Sequence, residues 1–302
     1  MTETLTHSRR ACFLDCPRRH LLAYSLRLRP DRDSRALSIG TAWAKLRQGM
    51  TIGAELDLYD AALIAELDKR YTADWELVQA EVPFVLDRTT HIEAGVVDGV
   101  IRRNGRFGML ERKTTSYLSD DYWKRLEYDA QTSTYFDALR EQGIQIDFVL
   151  YEVQEIPSLS PLKATPEDKR KYTKAKACKA HRAALDSACS DCEPSRLYAT
   201  QRATDESPGE FAVRVAEWAD AEPRLHVREV SMTTQRLEEA RADRANIAQL
   251  ILAGYQHRNP AACVRFSTCD YLEICHRTDL ETETPEGFKR LTDTNPELVI
   301  HV

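Results

Sequence analysis

Apolar residues recur at intervals of three and four over residues 8–28, 37–50 and 56–78, the period of a helix with one buried face. Pro17 fits the first position of a fresh turn within the first stretch, where its missing N–H is not needed. Near residue 82 the period changes to two. Residues 82–86, 92–101 and 107–113 alternate as strands do, and Arg103-Asn104-Gly105 has hairpin-turn chemistry. A long helix over 119–142 and a strand over 146–156 (IDFVLYEVQEI) follow. Residues 157–223 are polar and lose their periodicity, with 169–179 strongly basic, which reads as a partly flexible insertion. A strand over 225–232, a helix over 233–255, a cysteine-bearing loop and a short polar tail complete the chain. There are no internal repeats. This order predicts an α+β fold.

Composition changes the picture in two places. The 302 residues, 30% charged and 42% hydrophobic, suit one large or two ordinary globular domains with a substantial core. No apolar run approaches the roughly 20 residues that span a bilayer. The N-terminus MTETLTHSRR lacks the apolar core of a signal peptide, so a cytoplasmic protein with no membrane partner is expected. The net charge of −6 does not point to nucleic acid. Residues 8–35, however, hold eight arginines against three acids. A basic surface including Arg9, Arg10, Arg18 and Arg19 can recruit phosphates, although a solvated helix face is the plainer reading. The eight cysteines, in a reducing compartment, are ligands or buried small apolar residues more often than disulfides.

The chemistry concentrates in "GMLERKTT", residues 108–115. Side chains two apart on a strand share a face, so Glu111 and Lys113 stand together with Arg112 opposite. The preceding strand sets Asp98 among valines, where a carboxylate needs a cation or strong donors. The hairpin brings Asp98 beside Glu111, and two adjacent carboxylates repel unless a divalent cation lies between them. Carboxylate-held Mg²⁺ or Mn²⁺ with a neighbouring lysine suits phosphodiester hydrolysis. An acid-x-lysine tripeptide alone says little, and a surface strand with a cross-strand charge pair reads equally well. On the following helix Gln131 and Tyr135 are four apart and share a face, with Tyr128 three residues before Gln131; a tyrosine-rich packing stripe is the plainer alternative.

GVVDGVI, LERKTTS and DAQTSTYFDAL together resemble the aspartate, Glu-x-Lys and Gln-x-x-x-Tyr motifs of the PD-(D/E)XK nucleases. The nearest branch looks like the RecB-type exonucleases, including the iron–sulfur members associated with CRISPR systems and phages. The resemblance implies a restriction-endonuclease-like core, a central mixed sheet flanked by helices. It implies that Asp98, Glu111 and the Arg112 carbonyl bind metal, that Lys113 is catalytic, and that Gln131 and Tyr135 support it. It also implies a substrate of single-stranded or end-bearing DNA.

Members of that branch carry a Cys-Pro-Arg cysteine near the N-terminus and three cysteines near the C-terminus. Here Cys16-Pro17-Arg18 and CVRFSTCDYLEIC supply Cys16, Cys263, Cys269 and Cys275, although five residues separate Cys263 from Cys269 where the pattern has two. Four thiolates can hold a [4Fe–4S] cluster or Zn²⁺, and this one would join the two ends of the chain. Cys12 could substitute for Cys16, but the Cys-Pro context favours the latter. Cys178, His181, Cys189 and Cys192 have the spacing of a zinc knuckle or are incidental. The family's Gly-Thr-x-x-His reads here as Gly40-Thr41-Ala42-Trp43-Ala44, so an expected histidine ligand is absent. Either metal count or affinity is reduced, or the sequence is one disabled to trap a bound state.

The expected organisation is a single nuclease domain over 1–302: a helical part at 1–80, the core at 81–156, an insertion at 157–223, and the closing strand, helix and cysteine region at 224–302. The expected activity is metal-dependent, exonucleolytic DNA hydrolysis. The alternative is a DNA-binding protein that keeps the scaffold without the catalysis. A structural zinc protein with no affinity for nucleic acid is the third class.

Overall fold

In the computed structural model the described residues are 3–31, 34–52, 56–174, 176, 195–265, 267–295 and 298. The chain divides into two compact units, one of residues 1–51, 72–156 and 224–302, the other of 52–71 and 157–223.

In the first unit a short strand β1 (Thr4–Leu5) leads into α1 (His7–Asp15) and α2 (Pro17–His20), with Pro17 opening α2 as its sequence position predicts. A π-helical turn (Leu21–Ser25), β2 (Leu28–Pro30) and α3 (Arg35–Arg47) follow. In the second unit lies α4 (Leu58–Asp68), started by an Asp57 side chain that accepts the N–H groups of Tyr59 and Asp60. The first unit resumes with β3 (Glu76–Asp87), β4 (Ile92–Arg103) and β5 (Arg106–Thr115). Between β4 and β5, Asn104 and Gly105 both have positive φ, 50° and 77°. Two consecutive positive φ values make the tight primed turn whose twist matches the strands it joins.

Then come α5 (Asp120–Glu127), α6 (Ala130–Glu141) and β6 (Phe148–Glu155). The second unit contributes α7 (Pro208–Ala221), and the first closes with β7 (Leu225–Val230), α8 (Thr234–Leu252) and β8 (Phe288–Arg290). Two helices differ from the sequence expectation. The helix expected over 119–142 breaks at Tyr128, because the Asp129 side chain accepts the Gln131 N–H and caps a new helix. The helix expected over 56–78 stops at Asp68, and the strand after it begins at Glu76, six residues before Val82.

Six strands form one mixed sheet in the order β1-β4-β5-β6-β7, with β3 on the other edge of β4. β4 is antiparallel to β3 and β5, β5 is parallel to β6, and β7 returns antiparallel. The parallel β5–β6 pair needs a crossover, and α5 and α6 supply it. Their packing on Met109, Val149, Tyr151 and Val153 makes the main core, while Ile101, Leu110, Phe148 and Leu150 form a second core with Trp75 and Leu77. β6 is buried almost throughout, its apolar residues 148–151 and Val153 together with the polar Glu152 and Gln154.

β2 and β8 pair antiparallel and tie the N-terminal region to the C-terminal one. Leu22, Tyr24 and Leu28 pack there against Tyr271, Ile274 and Leu280, and the Tyr271 hydroxyl donates to the Leu28 carbonyl at 2.8 Å. In the second unit α7 starts on a capping box of Ser207 and Glu210. Tyr59 packs edge-on against Phe211 and donates to the Glu206 carbonyl. The described part of the polar stretch at 157–223 thus shares one unit with α4. The cysteine and histidine group at 178–192 lies outside the described residues.

Candidate active site

The β4–β5 ladder ends at Gly99 and Leu110. β3 pairs along the far edge of β4 from Ile92 to Arg102, with a register shift near Gln79, so β1, which pairs at Ile92 and Glu93, must share the near edge with β5. Residues 94–98 of that edge therefore face no strand among the described residues. Asp98 stands at the point of parting, and its Oδ2 accepts the Arg112 N–H at 2.6 Å. A side chain takes over where the backbone ladder stops, which is why an aspartate is tolerated among valines.

Across the gap, Glu111 and Lys113 share a face as their spacing predicts. Lys113 Nζ lies 2.7 Å from Glu111 Oε1 and donates to Gln131 Oε1 at 2.6 Å. Arg112 turns the opposite way, to Glu152 at 3.3 Å and the ring of Trp75. Burial pushes the Glu111 carboxyl up to about 8; Lys113 pulls it back, and the Asp98 carboxylate adds to the rise. Burial likewise raises Asp98, against the Arg112 N–H and the Arg112 and Lys113 cations. Burial works against the Lys113 ammonium, but Glu111 and Asp129 outweigh it and push its pKa up. Glu111 Oε2 is buried with no hydrogen-bond partner. An oxygen so placed, beside a second carboxylate, fits a bound cation, which would also hold both acids ionised. No group of three or more His, Cys, Asp or Glu side chains is gathered to hold a metal among the described residues, so backbone and water oxygens must complete any such shell.

Tyr135 reaches the site from α6. It packs edge-on against Phe84, with both rings over Gly95, where an added Cβ would lie 2.7 Å from Phe84 and 3.0 Å from Tyr135. Burial and the two carboxylates raise its pKa, so the hydroxyl keeps its proton. Tyr128, by contrast, is exposed in the break between α5 and α6. Gly40 on α3 lies against Thr114, with its Cβ position 3.3 Å from Oγ1. Ala44, one turn further along α3, shares that face.

Two neighbours of the site carried no sequence motif. Asp129 caps α6 through Oδ1 and sets Oδ2 3.8 Å from Lys113 Nζ. An aspartate directly before a helical run was the available signal. His7, the first residue of α1, is pushed down to about 4 by burial, against Asp129 and with Lys113 and Arg10. Only tertiary packing brings it near, and no local pattern of residues marks it.

The four arginines expected on a DNA-facing surface do not form one. Arg9 and Arg10 are buried on the inner side of α1, bound to Glu3 and Glu93 respectively. Arg18 donates to the carbonyls of Cys275 and Arg277, and Arg19 pairs with Asp15 while remaining partly exposed. A run of arginines reads alike whether it meets water or buried acids, and Glu93 lies too far along the chain to be seen as a partner.

Cys16, Cys263, Cys269 and Cys275 are free thiols that line one cavity of about 200 Å³ with Arg19, Asn259 and His276. The Asn259 N–H points at Cys16 Sγ, 3.5 Å away. Cys12 lines a different cavity, and burial pushes its thiol up to about 11.

The family model of the PD-(D/E)XK nuclease superfamily matches residues 42–276. No curated protein matches the chain. One similar solved structure is named "Putative exonuclease" from Eubacterium rectale; it is 11% identical, with a TM-score of 0.43 over 89% of this chain and 90% of its own. Another, SSO0001, is 12% identical, with a TM-score of 0.25 over 72% of this chain and 76% of its own. At these scores neither bears on the chemistry of the site. No helix among the described residues is long and apolar enough to cross a membrane.

Proposed function

The chain belongs to the PD-(D/E)XK nuclease superfamily, and from that premise we propose that it is a metal-dependent deoxyribonuclease acting exonucleolytically on single-stranded or end-bearing DNA. The observation that carries this reading is the buried, unpartnered Oε2 of Glu111 beside Asp98, with Lys113 on the other carboxylate oxygen. Asp98 and Glu111 would hold Mg²⁺ or Mn²⁺. In a strand the N–H and C=O of one residue point to the same edge, so the Arg112 carbonyl faces the Asp98 side and adds an oxygen. The bound ion would supply a polarised phosphate and a water of lowered pKa.

The protein's own groups do the rest. Lys113 stays charged, is aimed by Glu111 and Gln131, and offsets the negative charge that develops on the phosphate. Tyr135, protonated, donates to a phosphate oxygen or to the attacking water. The four cysteines line one cavity without three of them being gathered as a ligand group, and their shared lining favours a [4Fe–4S] cluster that would draw them together, with Zn²⁺ as the chemical alternative and Cys16 rather than Cys12 as the N-terminal ligand. Residues 1–302 then form one nuclease domain, with the polar stretch at 157–223 as its insertion.

The test is degradation of end-labelled DNA with Mn²⁺, with and without EDTA. Wild type should cleave only with the ion, and Lys113→Ala should lower the rate by about 100-fold or more. Cleavage equal in the two proteins would refute the assignment. Ala44, where the family places a histidine, favours a second reading, a DNA-binding protein without catalysis. It predicts intact DNA in both reactions, with salt-dependent binding retained.

A further inference from the structure

A second polar site lies on the first unit, away from the carboxylates. Thr90 and His91 in the β3–β4 turn, Arg88, Glu93, and Arg241, Arg244 and Gln249 of α8 line a cavity of about 270 Å³. Water takes about 30 Å³ per molecule, so a hydrated phosphate group fits.

Its charges do not balance. Glu93 is bound by Arg10 from α1, Arg88 from the turn and Arg244 from α8, at 2.7, 2.8 and 3.2 Å. Asp137 on α6 takes Arg244 at 2.8 Å and also pairs with Arg241, while Glu141 takes both amino groups of Arg88. Four arginines thus face three acids, and the acids' oxygens are all occupied. Arg244, 5% exposed, keeps a buried Nη1 with no partner. His91, 4% exposed, has its Nδ1 on the Thr90 hydroxyl at 3.0 Å and a buried Nε2 with no partner. In the tautomer in which Thr90 donates to Nδ1, Nε2 carries the proton and is a free donor. Arg244 and His91, each with a buried nitrogen left without a partner, therefore line one opening, over a network that holds one more arginine than acids, a composition that suits an oxyanion.

We propose that this cavity is a phosphate-binding subsite that takes one backbone phosphate of the nucleic-acid chain. It rests on the nuclease reading for the identity of the ligand. Glu93 stands five positions before Asp98 on β4, about 17 Å at strand spacing, so the subsite would hold the strand several nucleotides from the cut and keep it in register.

The experiment is done in EDTA, so that cleavage plays no part. Inorganic phosphate is titrated calorimetrically into the full chain, and binding of a fluorescent oligodeoxynucleotide, with and without a 5′-phosphate, is followed against salt concentration. Gln249→Glu places a negative charge at the exposed mouth without touching the buried network; His91→Ala removes one donor. Saturable phosphate binding that both variants lose, with oligonucleotide affinity reduced about fivefold or more and a salt slope smaller by about one, is the expected result. The loss should be the same with and without the 5′-phosphate; a loss confined to the 5′-phosphorylated strand overturns the backbone assignment. Phosphate binding absent from wild type or intact in Gln249→Glu, or oligonucleotide binding unchanged, overturns the subsite. If these binding results hold but wild type leaves DNA intact with Mn²⁺, the nuclease reading fails and the subsite stands.

Discussion

Lys113 has three protons to donate and meets Glu111 at 2.7 Å, Gln131 at 2.6 Å and, more distantly, Asp129 at 3.8 Å. That arrangement fixes a flexible side chain over the gap between β4 and β5. Asp129 has two tasks there, holding charge near the lysine and capping α6, and substitution can separate them. Asp129→Ala should lower stability by about 1 kcal/mol in urea denaturation, whereas Asp129→Asn, an equally good cap, should stay within a few tenths. Equal losses in both variants would mean that the carboxylate charge, and not the cap, carries the stability. The same site allows a gain to be tested. Ala44 shares the α3 face that meets Thr114, so Ala44→His should lower the Mn²⁺ concentration needed for half-maximal cleavage. Full activity with Ala44 and no gain from histidine would remove residue 44 from the metal site. Glu111 and Lys113 were legible from a two-residue spacing, and Gln131 and Tyr135 from a four-residue one, because those relations are local. His7 was not, since nothing short of the α1 packing places it near Lys113 and Asp129.

Among elements, α1 departs furthest from what its sequence suggests. A helix with arginines at 9 and 10 would ordinarily turn them to water, yet both lie inside, and Arg9 Nε donates to His20 Nε2 at 3.1 Å. His20 also stacks on Tyr24 and meets Phe13 edge-on. Burial first, and then Arg9, push its pKa from 6.5 down to about 4. The sign follows from proton counting. Between those two values the unfolded chain binds a proton that the folded one refuses, so stability is full above pH 6.5 and declines as the pH falls towards 4. At pH 5 the loss from this group is about 2 kcal/mol relative to pH 8. His20→Gln keeps an acceptor for Arg9 and does not titrate, so denaturation curves of the variant should lose less stability between pH 8 and pH 5. Identical pH dependence in the two proteins would contradict the assignment. The β4–β5 hairpin was readable because Asn-Gly dictates its turn and alternation its strands. The break between α5 and α6 was not, because the periodicity runs through it and only the capping side chain of Asp129 interrupts it. The parting of β4 from β5 was invisible for a different reason: it depends on β1, two residues long, taking the vacated edge.

At the scale of the molecule, the two ends of the chain are held together in more than one way. β2 pairs with β8, Tyr271 bonds to the Leu28 carbonyl, and Arg18 reaches the carbonyls of Cys275 and Arg277, all without any metal. The four cysteines line a cavity inside that same junction. A cluster bound there would act as a ligand of the folded state alone and so raise its stability by linkage. It would tie residue 16 to residue 263 across a loop of about 247 residues, a closure that is costly in the unfolded chain. Cys269→Ala should therefore lower the midpoint of thermal unfolding by about 4 °C or more, equivalent to roughly 2 kcal/mol for a chain of this size. At temperatures well below that midpoint, Mn²⁺-dependent cleavage should persist, because Glu111 and Lys113 belong to β5 and not to the junction. Anaerobically purified wild type should be brown, with broad visible absorption that the variant loses; a colourless wild type containing zinc would replace iron in the same cavity without changing the stability argument. Unchanged thermal unfolding would instead assign closure of the ends to β2, β8 and their apolar contacts alone.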